Sequence, residues 1–269
     1  MEPKVIIVTG ASRGIGFAVA QSLLAASHKV VLVSRSADRL QQLKECYPTQ
    51  VAFLAADMTV ADTAWRVTEL AILTFGRIDG AVVNHGMLSP MTRIENASVE
   101  EWKKLYDANF FSALALVSWR RWMTRRRACA NSLHKTKEAI PHIRASKGRI
   151  VFISSGAATA AYTSWGAYGS SKAALNSLVR HVAVEEPDVT AVAISPGRVD
   201  TDMQKELREK GTEMSRKDYE TFKEDFEEGR LIKPEQTGRV IAKLSLDVKP
   251  ELSGKYFKWD AAELVEYRE

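Results

Sequence analysis

The sequence predicts an α/β protein built on a single doubly wound, parallel sheet of about seven strands. Short apolar, largely β-branched runs recur along the chain, at residues 4–8, 29–34, 51–55, 80–83, 149–153, 189–194 and 255–259. Helical patterns alternate with these runs, and that alternation means a parallel sheet covered on both faces. The first run also passes directly into a glycine-rich turn and then a helix, as Thr9-Gly10-Ala11-Ser12-Arg13-Gly14-Ile15-Gly16. A chain of 269 residues suffices for one such domain, and its 45% hydrophobic and 26% charged composition is that of an ordinary globular protein.

Composition also narrows the function. The chain enters its first strand at once, with no signal-peptide pattern, and has no apolar run near the ~20 residues of a bilayer span. Its two cysteines, Cys46 and Cys129, form neither a disulfide framework nor a metal-ligand spacing. A reducing, cytoplasmic setting without a membrane partner or a bound metal is expected. The formal net charge of +5 invites a nucleic-acid reading, but residues 119–137 hold five Arg and two Lys and no acid. The basicity therefore belongs to one segment, and nucleic acid is discounted as the main partner.

The glycines after the first strand let the backbone turn tightly and approach a pyrophosphate, whose charge the helix N-terminus attracts. A glycine cluster alone is often only a tight turn, but the strand–turn–helix context favours a dinucleotide. The second strand ends in Ser34-Arg35-Ser36, with no acid to hold a ribose 2′-hydroxyl, while Arg35 and Arg13 suit a 2′-phosphate. NADP(H) is the expected cofactor. Asp57, after the third strand, either reaches an adenine or caps the next helix. The fourth strand ends in Asn84-His85-Gly86, where Asn84 would anchor the loop, Gly86 would admit a cofactor and His85 would line the cleft. A helical stretch at 100–118 carries Asn109, an unfavourable helix former that is either buried against backbone or turned to the cleft.

The segment 154–172 reads SSGAATAAYTSWGAYGSSK and follows the fifth strand. If a helix opens near Tyr168, Tyr168 and Lys172 project from one face, because i and i+4 stack. A free phenol, with a pKa of about 10, is a poor acid–base catalyst near neutrality, and an adjacent ammonium would lower that pKa. Ser155 could hold a substrate oxygen beside the phenol. The sixth strand ends in Ser195-Pro196-Gly197, and residues 198–203, including Val199 and Thr201, would wrap the nicotinamide side. Residues 205–229 are charged and helical, as a substrate lid would be. Trp165, His85 and the region after Met203 are expected to shape the pocket.

Taken together and in order, these motifs resemble the short-chain dehydrogenase/reductase family. The stretches WKKLYDANFFS, SWGAYGSSKAALN and SPGRVDTDMQ look most like its fungal benzil reductases of the (S)-benzoin-forming type, themselves similar to sepiapterin reductases. His85 departs from the usual Asn-Ala-Gly. The resemblance implies a Rossmann domain and a catalytic tetrad of Asn109, Ser155, Tyr168 and Lys172. It implies cofactor contacts from Thr9, Gly10, Ser12, Arg13, Gly14, Ile15, Gly16, Arg35, Asp57, Asn84, Gly86, Tyr168, Lys172, Pro196, Gly197, Val199 and Thr201. Tyr168 would donate a proton, Lys172 would lower its pKa and bind the nicotinamide ribose, Ser155 would polarise a carbonyl, and Asn109 would hold a relay water.

By the family pattern, residues 119–137 are a basic insertion, either a genuine loop or a translated intron. The resemblance also implies a homodimer or homotetramer, which the insertion could disrupt. Reduction of a small ketone or benzil-like diketone with NADPH is the leading functional reading. A non-catalytic NADP-binding sensor is the alternative, but it would not need to keep Tyr168, Lys172 and Ser155 together.

Overall fold

The computed structural model describes residues 2–118 and 139–269. The inferred insertion at 119–137 and Cys129 lie outside the described residues. The elements run β1 (Val5–Thr9), α1 (Gly14–Ala25), β2 (Lys29–Ser34), α2 (Asp38–Cys46), β3 (Val51–Ala55), α3 (Thr63–Phe75) and β4 (Gly80–Val83). Then come α4 (Val99–Tyr106), a π-turn (Asp107–Phe111), α5 (Ser112–Val117), α6 (Ala139–Ala145), β5 (Arg149–Ile153), α7 (Gly166–Glu185) and β6 (Thr190–Ser195). The chain closes with α8 (Asp202–Lys210), α9 (Arg216–Glu227), α10 (Pro234–Asp247), β7 (Tyr256–Lys258) and α11 (Val265–Arg268).

The seven strands form one parallel sheet in the order β3-β2-β1-β4-β5-β6-β7. Neighbouring registers such as Ile6↔Val30 and Ile6↔Gly80 align the strand ends on one edge. Side chains alternate between the faces, as period-two geometry requires. Val5 and Ile7 join a core under α3, α5, α6 and α7, whereas Ile6 and Val8 join a second core under α1, α2, α10 and α11. Strands buried on both faces read as continuous apolar runs, so the sequence marked them to within a residue. The strand order reverses between β1 and β4, and the carboxyl ends there open a crevice.

Three elements differ from the expectation. The helix at 100–118 is broken by the π-turn, which turns Asn109 inward. The charged stretch at 205–229 is two helices, α8 and α9, each attached through one buried side chain, Leu207 or Phe222. Helix α10, which the sequence reading omitted, packs directly on α1, where a Cβ added at Gly238 would lie 2.8 Å from Ala18 Cβ.

That contact leaves no room for a methyl group. Gly238→Val should destabilise the fold by about 1–3 kcal/mol, the usual cost of overpacking, read as a lowered midpoint in urea with an unchanged slope.

Candidate active site

The crevice is built outward from the end of β1. The Thr9 hydroxyl lies 3.2 Å from the Val82 carbonyl and accepts from Asn84 N–H at 3.0 Å. The Asn84 amide in turn donates to the Thr9 and Gly10 carbonyls at 3.0 and 3.2 Å. These bonds bring the β4 loop so close to the glycine turn that a Cβ at Gly16 would sit 2.4 Å from the Gly10 carbonyl. Gly10 and Gly14 adopt φ of +66° and +54°, the left-handed region that favours glycine. Helix α1 then starts with no side-chain cap and no acid in its first turn. Its leading N–H groups and positive dipole end are free for an anion.

This turn lines a cleft of about 1030 Å³. Ser12, Arg13, Gly14 and Ile15 reach it with Gly10, and Arg35, Asp57, Asn84 and Gly86 continue its wall. Tyr168, Lys172, Pro196 and Thr201 complete the predicted set at its inner end. Thr9 is fully buried and acts behind the wall, as Gly16 does by permitting close approach. Gly197 and Val199 line instead an adjoining cavity of about 370 Å³.

A dinucleotide fits this chemistry: an uncapped helix start, a glycine cradle and cations at the end of β2 and in the turn. A Cβ at Gly86 would lie 3.0 Å from Asn109 Oδ1 and 3.5 Å from Lys172 Nζ. Arg13 is not a free cation, because it pairs with Asp202 at 2.7 Å across the cleft mouth. Asp57 does not cap α3, which begins at Thr63 without a side-chain cap. Its Oδ1 accepts from Thr59 through N–H and O–H bonds of 2.9 and 2.8 Å, which hold the carboxyl below its usual pKa, and the residue lines the cleft.

The cleft and the cavity share a wall made of Tyr168, Ser154, Ile15, Pro196, Thr201 and Met203. Ser155 lies close enough to Tyr168 to influence its phenol, and Tyr168 stands in the first turn of α7. Burial raises the Tyr168 pKa, and Ser155 opposes that rise. Lys172 does not lower it as anticipated. Its Nζ donates to the Ile153 carbonyl at 2.8 Å and lies 5.8 Å from the Tyr168 ring centre, and its own pKa is lowered to about 8 by burial.

Asn109 takes the first of its two expected places, buried against backbone. Its Oδ1 accepts from Met87 N–H at 2.8 Å, and its Nδ2 donates to the Met87 carbonyl and Ser171 Oγ at 2.9 and 3.2 Å. One amide hydrogen holds the β4 loop on the π-turn, and the other ties the π-turn to α7 at Ser171.

His85 has partners the sequence did not reveal. Its Nδ1 lies 2.7 Å from Thr9 Oγ1 and its Nε2 2.7 Å from Ser112 Oγ. Burial lowers its pKa to about 3, so the ring is neutral, and one of the two hydroxyls must donate to it. His85 lines the cleft and not the cavity, whereas Trp165 and Met203 do line the cavity, as expected.

The comparisons agree with this architecture. The short chain dehydrogenase family model matches residues 4–212. An uncharacterized oxidoreductase of Schizosaccharomyces pombe is 38% identical, covering 95% of this chain and 96% of its own. A benzil reductase ((S)-benzoin forming) of Saccharomyces cerevisiae is 34% identical, with 96% of each chain covered. The crystal structure of a short chain dehydrogenase/reductase of Saccharomyces cerevisiae superposes with a TM-score of 0.90 at 35% identity, covering 99% of this chain and 100% of that one. The chain belongs to the short-chain dehydrogenase/reductase family, and it is an oxidoreductase by that membership. Among the described residues, no helix is long and apolar enough to cross a membrane.

The Asn109 bonds make a stability prediction. Asn109→Ala leaves the Met87 N–H and carbonyl without their partners and should cost about 1–3 kcal/mol, measured by urea unfolding; a side chain used only to hold water would leave the midpoint unchanged.

Proposed function

We propose that the protein is an NADPH-dependent carbonyl reductase that converts a small ketone or benzil-like diketone into an alcohol. The observation that carries this reading is the shared wall: Tyr168 lines both the dinucleotide-sized cleft and the cavity beside it, and Ser155 lines the cavity with it. The cavity is walled by Tyr162, Trp165, Met203 and Phe222, which suits an apolar, aryl-bearing substrate. The relative named as a benzil reductase supports the same substrate class. Arg35 at the end of β2, with no acid beside it, supports NADP over NAD.

The nicotinamide, when bound, supplies hydride to the carbonyl carbon. Ser155 donates a hydrogen bond to the carbonyl oxygen, and Tyr168 Oη gives that oxygen its proton as general acid. A raised phenol pKa keeps the proton on Tyr168 near neutrality, where it is available for donation. Lys172 places a positive charge between Ile153 and Gly86 at the inner end of the cleft, where it would hold the ribose hydroxyls. The tetrad's Asn109 fixes the loop that carries Gly86. Assembly of the single domain as a homodimer or homotetramer is part of the same reading.

Two measurements test it. Loss of NADPH absorbance with benzil and a panel of diketones should be rapid for the natural chain. It should fall by about two to four orders of magnitude in Tyr168→Phe, with NADPH binding retained. NADPH binding without turnover of any carbonyl would point to the sensor instead. The pH profile gives the second test: kcat/KM for NADPH should fall as pH rises through about 8, where Lys172 loses its charge. Lys172→Arg keeps its charge at higher pH and should move that fall upward.

A further inference from the structure

We infer that Arg198 is a specificity-determining positioning residue, which selects aryl-bearing carbonyls by pinning Phe222 of α9 into the substrate wall. This inference rests on the reductase reading and concerns which substrates that site prefers. Arg198 follows Gly197 directly on the loop after β6, and its guanidinium carbon lies 4.1 Å from the centre of the Phe222 ring. On its other side Phe222 stacks on Trp165, with ring centres 5.4 Å apart and planes 29° apart. Trp165 meets Tyr168 edge-on at 5.6 Å and 84°. Tyr162 closes the group at 5.1 Å from Trp165 and 5.9 Å from Phe222. A continuous column therefore runs from the loop beneath the cleft, through the lid, to the candidate proton donor.

Helix α8 also holds α9, through Tyr219 bonded to the Arg208 carbonyl and through Arg208 lying over Phe226. Of the α9 rings, however, only Phe222 lines the cavity, and Arg198 is its strut. Phe222 is the helix's single buried residue, and the rest of its sequence, RKDYETFKEDFE, is mostly charged. Arg198 supplies the strut with both its face and its edge. Its face covers Phe222, and its Nη1 donates to the Thr221 carbonyl at 3.2 Å and pairs with Asp225. Asp225 is itself held from the opposite side by Arg230 Nε at 2.8 Å, and its side chain is only 17% exposed. The Arg198 carbonyl accepts from Ile232 N–H at 2.9 Å, so the backbone that carries the strut is fixed as well. A planar guanidinium that stacks on a ring while bonding in its own plane cannot be replaced by a lysine ammonium.

The experiment compares Arg198→Ala, Arg198→Lys and Asp225→Asn with the natural chain. It reads kcat/KM for benzil against 2,3-butanedione, the NADPH dissociation constant, and quenching of tryptophan emission by benzil on the NADP⁺-loaded protein. The ratio of benzil to butanedione should fall about tenfold in Arg198→Ala, within the range one apolar contact supplies. Benzil quenching should weaken in parallel, and in Asp225→Asn, at a residue that lines neither the cleft nor the cavity, it should do so with NADPH affinity held. Arg198→Lys should recover only part of the ratio, and Asp225→Asn should resemble it. An unchanged ratio and unchanged quenching in all folded variants, with the natural chain turning over both diketones, overturns this inference alone. If the natural chain neither turns over nor binds either diketone, the reductase reading fails and this inference with it. Far-ultraviolet circular dichroism identifies the folded variants, and Asp225→Asn, which leaves Arg198 in place, still decides the matter if Arg198→Ala does not fold.

Discussion

The Asn84 amide is the interaction on which the rest of the site depends. It donates to two carbonyls of the glycine turn and so draws the end of β4 against the end of β1, at the point where the sheet order reverses. Closeness there forces glycine at positions 10 and 16 and leaves the start of α1 uncapped and facing the crevice. The same loop continues through His85, tied to Thr9 and Ser112, and through Gly86 to Met87, tied to Asn109. A polar network with buried members has to be nearly complete to be stable. Its members tie the paired ends of β1 and β4 to the π-turn and the start of α5.

The second constraint is burial of the charged and ionisable groups. Lys172 is 4% exposed and spends one N–H on the Ile153 carbonyl. Desolvation lowers its pKa to about 8 and raises that of Tyr168, and each shift is a property of the pocket rather than of a contact between the two side chains. The phenol is thereby kept protonated and the ammonium is kept close to losing its charge. Bound anionic cofactor would favour the ammonium, so affinity for the dinucleotide and protonation of Lys172 are linked.

The inner strands were legible because they are buried on both faces and read as apolar runs bounded by turn residues. The glycine turn, Ser155, Tyr168 and Lys172 were legible because their spacing is local. What escaped was set by partners distant in sequence. The π-turn has no local signature; it exists because Asn109 reaches back to Met87. His85 looked unpartnered because Thr9 and Ser112 lie 76 and 27 residues away. Helix α10 carries a glycine in its middle, which weakens a helical reading, yet that glycine is where α1 approaches. The direction of the Tyr168 shift was missed because burial, which no spacing reports, sets it, and the i+4 ammonium is directed to the Ile153 carbonyl.

The central claim is that hydride and proton meet a carbonyl at the wall shared by the cleft and the cavity. Its most direct test is transfer of label, using NADPH deuterated at both nicotinamide C4 positions, with benzil as acceptor and mass spectrometry of the product. The account predicts benzoin carrying one deuterium at the carbinol carbon, with formation lost in Tyr168→Phe. Saturable NADPH binding with no deuterium transferred to benzil or to any other diketone tried would contradict it.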